Sequence, residues 1–271
     1  MSESSASVVA VDDIGAAKRV ERGRFFVWMS GILLATVLIG FSPTFYLRSY
    51  FESPELPAHL YVHGTVLTMW FALLFVQTSM VVADRVAWHR RLGWIGAAVA
   101  AAVVGTGALT NFRSIERAAE QLSSSLPQLT QSEQVARFAA GFYGFAAQLV
   151  VFTVLVVVAV LMRYGPIVHK RLMLVASINI VGAAAFRWSF ALASVGVPPA
   201  IAFPVGALVG VVGPWLLLVA VIVYDRRTLR RVQPVTLWST LGAALLPLLA
   251  RQLGTIDIAV GWIDRLMYGG T

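Results

Sequence analysis

The chain has 271 residues, 58% of them apolar and 13% charged, with a mean hydropathy of +0.78. Soluble domains carry about 45–50% apolar and about 25% charged residues, so a soluble enzyme, a nucleic-acid-binding domain and a disordered chain are excluded in favour of a polytopic membrane protein. The lack of cysteine removes disulfides, thiolate metal sites and iron–sulfur clusters. The net charge of +8 falls in short clusters between apolar runs, where membrane topology puts it, and gives no reason to expect a nucleic-acid partner.

Residues 1–24 are polar, small and Ser-rich and are expected to form a disordered cytoplasmic tail. Seven apolar stretches follow: Phe25–Leu47, Ala58–Ala83, Leu92–Phe112, Val135–Met162, Leu172–Ser194, Phe203–Tyr224 and Pro234–Leu253. Each approaches the roughly 20 residues that a membrane-spanning helix needs. In the polar connection 113–133, Ile115, Ala118, Ala119 and Leu122 share a helical face. A break is expected at Ser123–Pro127, and Thr130 with Glu133 forms a capping box before the fourth span. In the sixth span Gly206, Gly210 and Gly213 allow close helix approach, and Pro214 should kink the helix. The seventh is interrupted by Pro247 and Arg251. Residues 254–271 place Ile256, Val260, Ile263 and Met267 on one face of an amphipathic helix, expected on the outer surface.

Fourteen of the 21 basic residues lie in the N-terminal tail and the second, fourth and sixth connections, six lie on the other side, and Arg187 lies within a span. Cytoplasmic loops carry the Lys/Arg excess. The N-terminus is therefore expected in the cytoplasm and the C-terminus outside, in a bacterial inner membrane. Only Lys18 and Lys170 are lysines, and neither lies in a span, which excludes an intramembrane retinal Schiff base.

The chain carries an internal echo. His89-Arg90-Arg91-Leu92 and His169-Lys170-Arg171-Leu172 share the pattern H-[KR]-R-L, 80 residues apart, and Gly64 and Gly144 keep that offset. The spacing predicts parallel repeats over 58–112 and 135–194, forming a four-helix core flanked by spans one, six and seven.

Polar residues inside a membrane are costly and mark interior faces. At about 100° per residue, His59, His63, Trp70, Gln77 and Asp84 fall in one narrow sector of span two. His169, Asn179, Arg187 and Ser194 fall within about a quarter turn of span five by the same arithmetic. Span three offers a small-residue face with Gly93, Gly96, Ala100 and Gly107. His63, Trp70, Gln77, Asn179 and Arg187 are the candidate lining of a pocket for a quinone-like amphiphile or an anionic solute. His59 and His63, four apart on one helix, can reach a single metal ion if a further ligand joins them; a hydrogen-bonded pair is the other reading. His89 and His169 lie on different helices at one depth and can ligate a b-type haem from opposite faces, with Arg90 and Arg171 on its propionates. The alternative is a basic collar at the membrane surface. A haem needs the two rings to converge, whereas a collar lets them point outward.

The segment His59 to Gly93, with HLYVHG, Trp70, Gln77 and HRRLG, resembles an uncharacterised family of bacterial multi-pass membrane proteins. HKRLMLVAS at 169–177 is similar to a related family of unknown function linked to cytochrome oxidase biogenesis. H-x-x-L-G at 89–93 resembles haem-ligand segments of small b-type membrane cytochromes, which place a second histidine deeper in a helix, where this chain has none. These likenesses imply a cofactor-binding redox protein or an assembly factor for a respiratory complex. The polar stripes support a transporter, channel or sensor as the alternative.

Overall fold

The structure, a computed structural model, describes residues 23–125 and 127–269, and among these it is all-α. Helix α1 (Gly23–Tyr46) is followed by α2 (Ala58–Val82), α3 (Val86–Ser125), α4 (Gln131–Leu161), α5 (Pro166–Ile180), α6 (Gly182–Phe186), α7 (Trp188–Ser194), α8 (Pro199–Leu229), α9 (Pro234–Arg251) and α10 (Asp257–Tyr268). Helices α1 to α4 and α8 are long and apolar enough to cross a membrane. The segments 166–194 and 234–268 add two more if each bent pair is one span, with bends of 43° and 78°. The expected tail over 1–24 lies outside the described residues except for Gly23 and Arg24, which open α1.

Local chemistry explains the boundaries. Proline opens α5, α8 and α9; its missing N–H is one that the first turn leaves unpaired anyway. The α1 helix ends in a widened turn over Ser42–Tyr46 that contains Pro43, which cannot donate to the helical ladder. The capping box forms as expected: the Thr130 N–H donates to Glu133 Oε2 at 2.8 Å, and the Glu133 N–H donates to Thr130 Oγ1 at 3.4 Å.

The packed centre is built from Trp70, Phe71, Phe152, Val175 and Ile178, contributed by α2, α4 and α5. Helices α2–α3, α3–α4 and α4–α5 pack side by side. Two flanking spans enter more deeply than expected. Leu33 and Val37 of α1 are core residues, and α9 packs along α4 as extensively as α5 does. Gly144 of α4 permits this approach, since a Cβ there would lie 2.8 Å from the Arg251 side chain.

Three elements differ from the sequence reading. First, α3 runs as one helix from Val86 past the expected span end at Phe112 and stops at Ser125, inside the expected break at 123–127, because the apolar face with Ile115 and Ala118 stays buried beyond the span. Second, α10 does not spread its apolar face on a lipid surface. Ile263 is fully buried, and with Val260 and Met267 it packs on Ile115, Val135, Ala139 and Phe142 of α3 and α4. Tyr143 Oη donates to the Ala259 carbonyl at 2.9 Å. Third, the fifth span is broken at Val181 and interrupted again at Arg187, while α8 runs unbroken through Pro204 and Pro214. The short pieces α6 and α7 lie against α8 at Gly210 and Gly206. A Cβ on Gly210 would sit 2.8 Å from Phe186 Cα, and one on Gly206 would sit 2.5 Å from the Ser189 nitrogen. The small residues of span six thus do allow close approach.

Candidate functional site

His89 and His169 are each the fourth residue of their helix, α3 beginning at Val86 and α5 at Pro166. Each backbone N–H bonds the residue just before its helix, His89 to the Arg85 carbonyl at 3.1 Å and His169 to the Gly165 carbonyl at 3.0 Å. The two copies of H-[KR]-R-L therefore occupy equivalent places. Their imidazoles converge, with ring centroids 6.2 Å apart and ring planes at 86°. Both rings are half-buried.

Helices α4 and α2 orient these rings. His169 Nδ1 lies 2.8 Å from the carbonyl of Ala159. That residue is in the last turn of α4, where carbonyls have no intrahelical partner. The Nδ1 proton is donated there, which leaves Nε2 with its lone pair. His89 is held by Gln77 of α2. The Gln77 amide NH2 faces His89 Nδ1 and the His89 carbonyl (3.1 Å), and its oxygen accepts from the Gly93 N–H at 3.1 Å. Nδ1 of His89 accepts in that arrangement, so its proton sits on Nε2. The pair is thus complementary: one Nε2 carries a proton and the other a lone pair. If the Gln77 amide turns so that its oxygen faces His89 Nδ1, both Nε2 atoms become metal donors.

The arginines divide sharply. Arg171, expected on a propionate, is 1% exposed. Its Nε donates to both oxygens of Asp225 (2.9 and 3.2 Å), its Nη2 also donates to Asp225, and its Nη1 donates to the Ile167 carbonyl at 2.8 Å. Asp225 is fully buried and also accepts from the Gln233 N–H at 3.2 Å and from Thr236 Oγ1 at 2.5 Å. This cluster ties α5, α8 and α9 together, so Arg171 is not available to a ligand. Its counterpart Arg91 lies over the Trp88 ring at 5.4 Å, and Arg163 lies over the Trp94 ring at 6.0 Å. Arg90 is exposed.

The stripe on α2 turns inward, as expected, and each of four residues finds its own partner. His59 Nε2 accepts from Arg117 Nη2 at 3.2 Å. His63 Nδ1 is 3.1 Å from Thr106 Oγ1. Trp70 Nε1 donates to Ser177 Oγ at 3.1 Å, and its ring packs edge-on against Phe152. Gln77 meets His89. The stripe fastens α2 to α3 and α5. The five residues expected to line one pocket are accordingly spread among separate contacts. Asn179 exchanges hydrogen bonds with Gln148 of α4 (2.8 and 3.2 Å), and Arg187 lies over Phe41 at 4.9 Å and 3.4 Å from Thr44 Oγ1. The His59–Arg117 bond occupies a nitrogen that a metal would need. Among the described residues, no three His, Cys, Asp or Glu side chains come together to hold a metal ion.

Two features of this region were not read from the sequence. Asp225 follows Tyr224 at the mouth of a basic run, where it looks like a solvated loop charge. The Ala159 carbonyl matters only because α4 ends two residues later. Comparison of the chain with protein-family models, with curated proteins and with solved structures returns no match.

Proposed function

We propose that this chain is a membrane-embedded redox protein in which His89 and His169 would hold one b-type haem. The observation that carries the reading is the convergence of two imidazoles from equivalent positions of the repeat, 6.2 Å apart by centroid. Two imidazoles brought this close from separate helices would hold one iron through ring nitrogens. Arg90, exposed beside His89, is the available partner for a propionate. Gly93, one turn further on, keeps that face of α3 open, since a Cβ there would meet nothing within 4 Å. The resemblance of 89–93 to cytochrome ligand segments points the same way.

When bound, the haem supplies one-electron transfer. The protein's part is positional. The Ala159 carbonyl fixes the proton of His169 on Nδ1, and the Gln77 amide oxygen does the same for His89 when it faces that ring. Two histidines holding the haem would suit it to electron transfer. A quinone-like reductant or oxidant in the bilayer fits this role. The basic loops beside the histidines support a cytoplasmic side for this end, with the N-terminus on the inside of a bacterial inner membrane.

Reduced-minus-oxidised absorption spectra of protein purified from haem-replete membranes test the reading. The wild type is expected to show a Soret band that sharpens and shifts on reduction, and His89→Ala and His169→Ala each to lose it. A colourless wild type overturns the assignment. The broken fifth span favours a second reading, since discontinuous helices build solute sites in transporters. Solute binding that survives both histidine substitutions and is lost in Arg187→Ala would establish it.

A further inference from the structure

At the end of the bundle away from the histidine pair, α3 and α4 border an open surface cleft of about 440 Å³. Phe138, Phe142 and Phe145 form its apolar wall, with Arg137 and Ser114 among its polar residues. Its polarity is ordered by depth. Along α4, Arg137 and Phe145 are separated by eight residues, about 12 Å of helix, with the arginine toward the helix start and the aromatics toward the middle of the span.

The charge at the mouth is felt by Glu133 but is not ion-paired with it. Arg137 is exposed and forms no salt bridge among the described residues. Glu133, one turn before it, is engaged with the Thr130 N–H and hydroxyl, both at 2.8 Å. Deeper in the cleft, the buried hydroxyl of Thr110 makes no hydrogen bond. The wall is open at Gly141, where a Cβ would meet nothing within 4 Å. A cation at the rim, above an aromatic slot and at the level where a span begins, has the polarity profile of an amphiphile with an anionic head. A neutral quinone would leave Arg137 without a partner, and a soluble anion would leave the aromatic wall uncovered.

We propose that the α3–α4 cleft seats an anionic phospholipid of the surrounding bilayer, its phosphate on Arg137 and an acyl chain against Phe138, Phe142 and Phe145. The site is independent of the histidine pair.

The test is native mass spectrometry of the full chain in detergent, titrated with phosphatidylglycerol, with phosphatidylcholine or with a neutral isoprenoid quinone. Arg137→Gln removes the charge at an exposed position, and Gly141→Leu fills the cleft from an open one. Phosphatidylglycerol is expected to bind the wild type in preference to the other two probes. Arg137→Gln should weaken it about fivefold, the effect of one basic residue near an anionic headgroup, and Gly141→Leu should abolish it. Equal binding of the two phospholipids, or equal retention of phosphatidylglycerol by wild type and Arg137→Gln, overturns the proposal, as does a preference for the quinone. Should Gly141→Leu not fold, the Arg137→Gln comparison decides alone.

Discussion

Asp225→Ala is expected to be among the most damaging single changes in the protein. Asp225 accepts from Arg171 Nε and Nη2, from the Gln233 N–H and from Thr236 Oγ1. Removing it leaves the Arg171 guanidinium buried, with the Ile167 carbonyl as its one remaining partner among the bonds described. Breaking a buried pair from one side costs about 3–5 kcal/mol, mainly because the surviving charge is uncompensated. At about 2–4 °C per kcal/mol for a domain of this size, the melting temperature should fall by roughly 6–20 °C. The assay is thermal unfolding in detergent, followed by loss of the monodisperse peak in size-exclusion chromatography. Replacing both partners, Arg171→Met with Asp225→Leu, should recover most of the loss, since apolar replacement of a buried pair is often close to neutral. A melting temperature for Asp225→Ala within 2 °C or so of wild type, the scale of about 1 kcal/mol, would refute the reasoning, and so would a double variant no better than the single one.

Four further outcomes follow from particular contacts. Gln77→Ala should lower haem occupancy about 10–100-fold, the usual cost of losing an outer-shell partner; unchanged haem per chain would show that Gln77 does not orient His89. Gln148→Leu leaves the Asn179 carbonyl at the broken turn without its side-chain donor and should cost about 1 kcal/mol, read as a lower melting temperature; no change would mean that the break is held by other contacts. Gly206→Ala should destabilise by about 1–3 kcal/mol through overpacking on Ser189, whereas Gly93→Ala should be neutral because its surroundings are open; equal effects at the two positions would contradict the α7–α8 packing. Because the chain has no cysteine, a single Gly165→Cys reports orientation: a membrane-impermeant maleimide should label it in inverted membranes and not in intact cells, and the reverse result would invert the topology.

Much of this fold could be read from residue spacing. The inward stripe of α2 was legible because α2 is one straight, unbroken helix, so a fixed angle per residue holds from His59 to Gln77. The same arithmetic failed in the fifth span. The break at Val181 resets the helical phase, and Asn179 and Arg187 do not share the face that a continuous helix would give them. The break falls next to Gly182, a helix-weakening residue, and the Asn179 carbonyl just before it accepts from Gln148, 31 residues away. The histidine pair was legible because the H-[KR]-R-L echo fixes depth and helix position together. The fate of its arginines was not. Arg91 and Arg171 are equivalent in the motif, yet one lies over Trp88 at the surface and the other is sealed against Asp225. What separates them is a carboxylate 54 residues downstream of Arg171, a relation that local pattern does not carry. The pocket expected from His63, Trp70, Gln77, Asn179 and Arg187 was inferred from polarity alone. In the structure that polarity is spent on joining helices, the common use of scattered polar groups in membrane bundles.

The most direct test of the central claim is the haem content and spin state of the purified, oxidised protein, measured by haem extraction and electron paramagnetic resonance. Ligation by His89 and His169 predicts one haem per chain with a six-coordinate, low-spin ferric signal that His169→Ala converts or removes. A wild-type protein that folds, remains monodisperse and carries neither haem nor a low-spin signal would contradict it and leave the two histidines as an edge-to-face ring contact between α3 and α5.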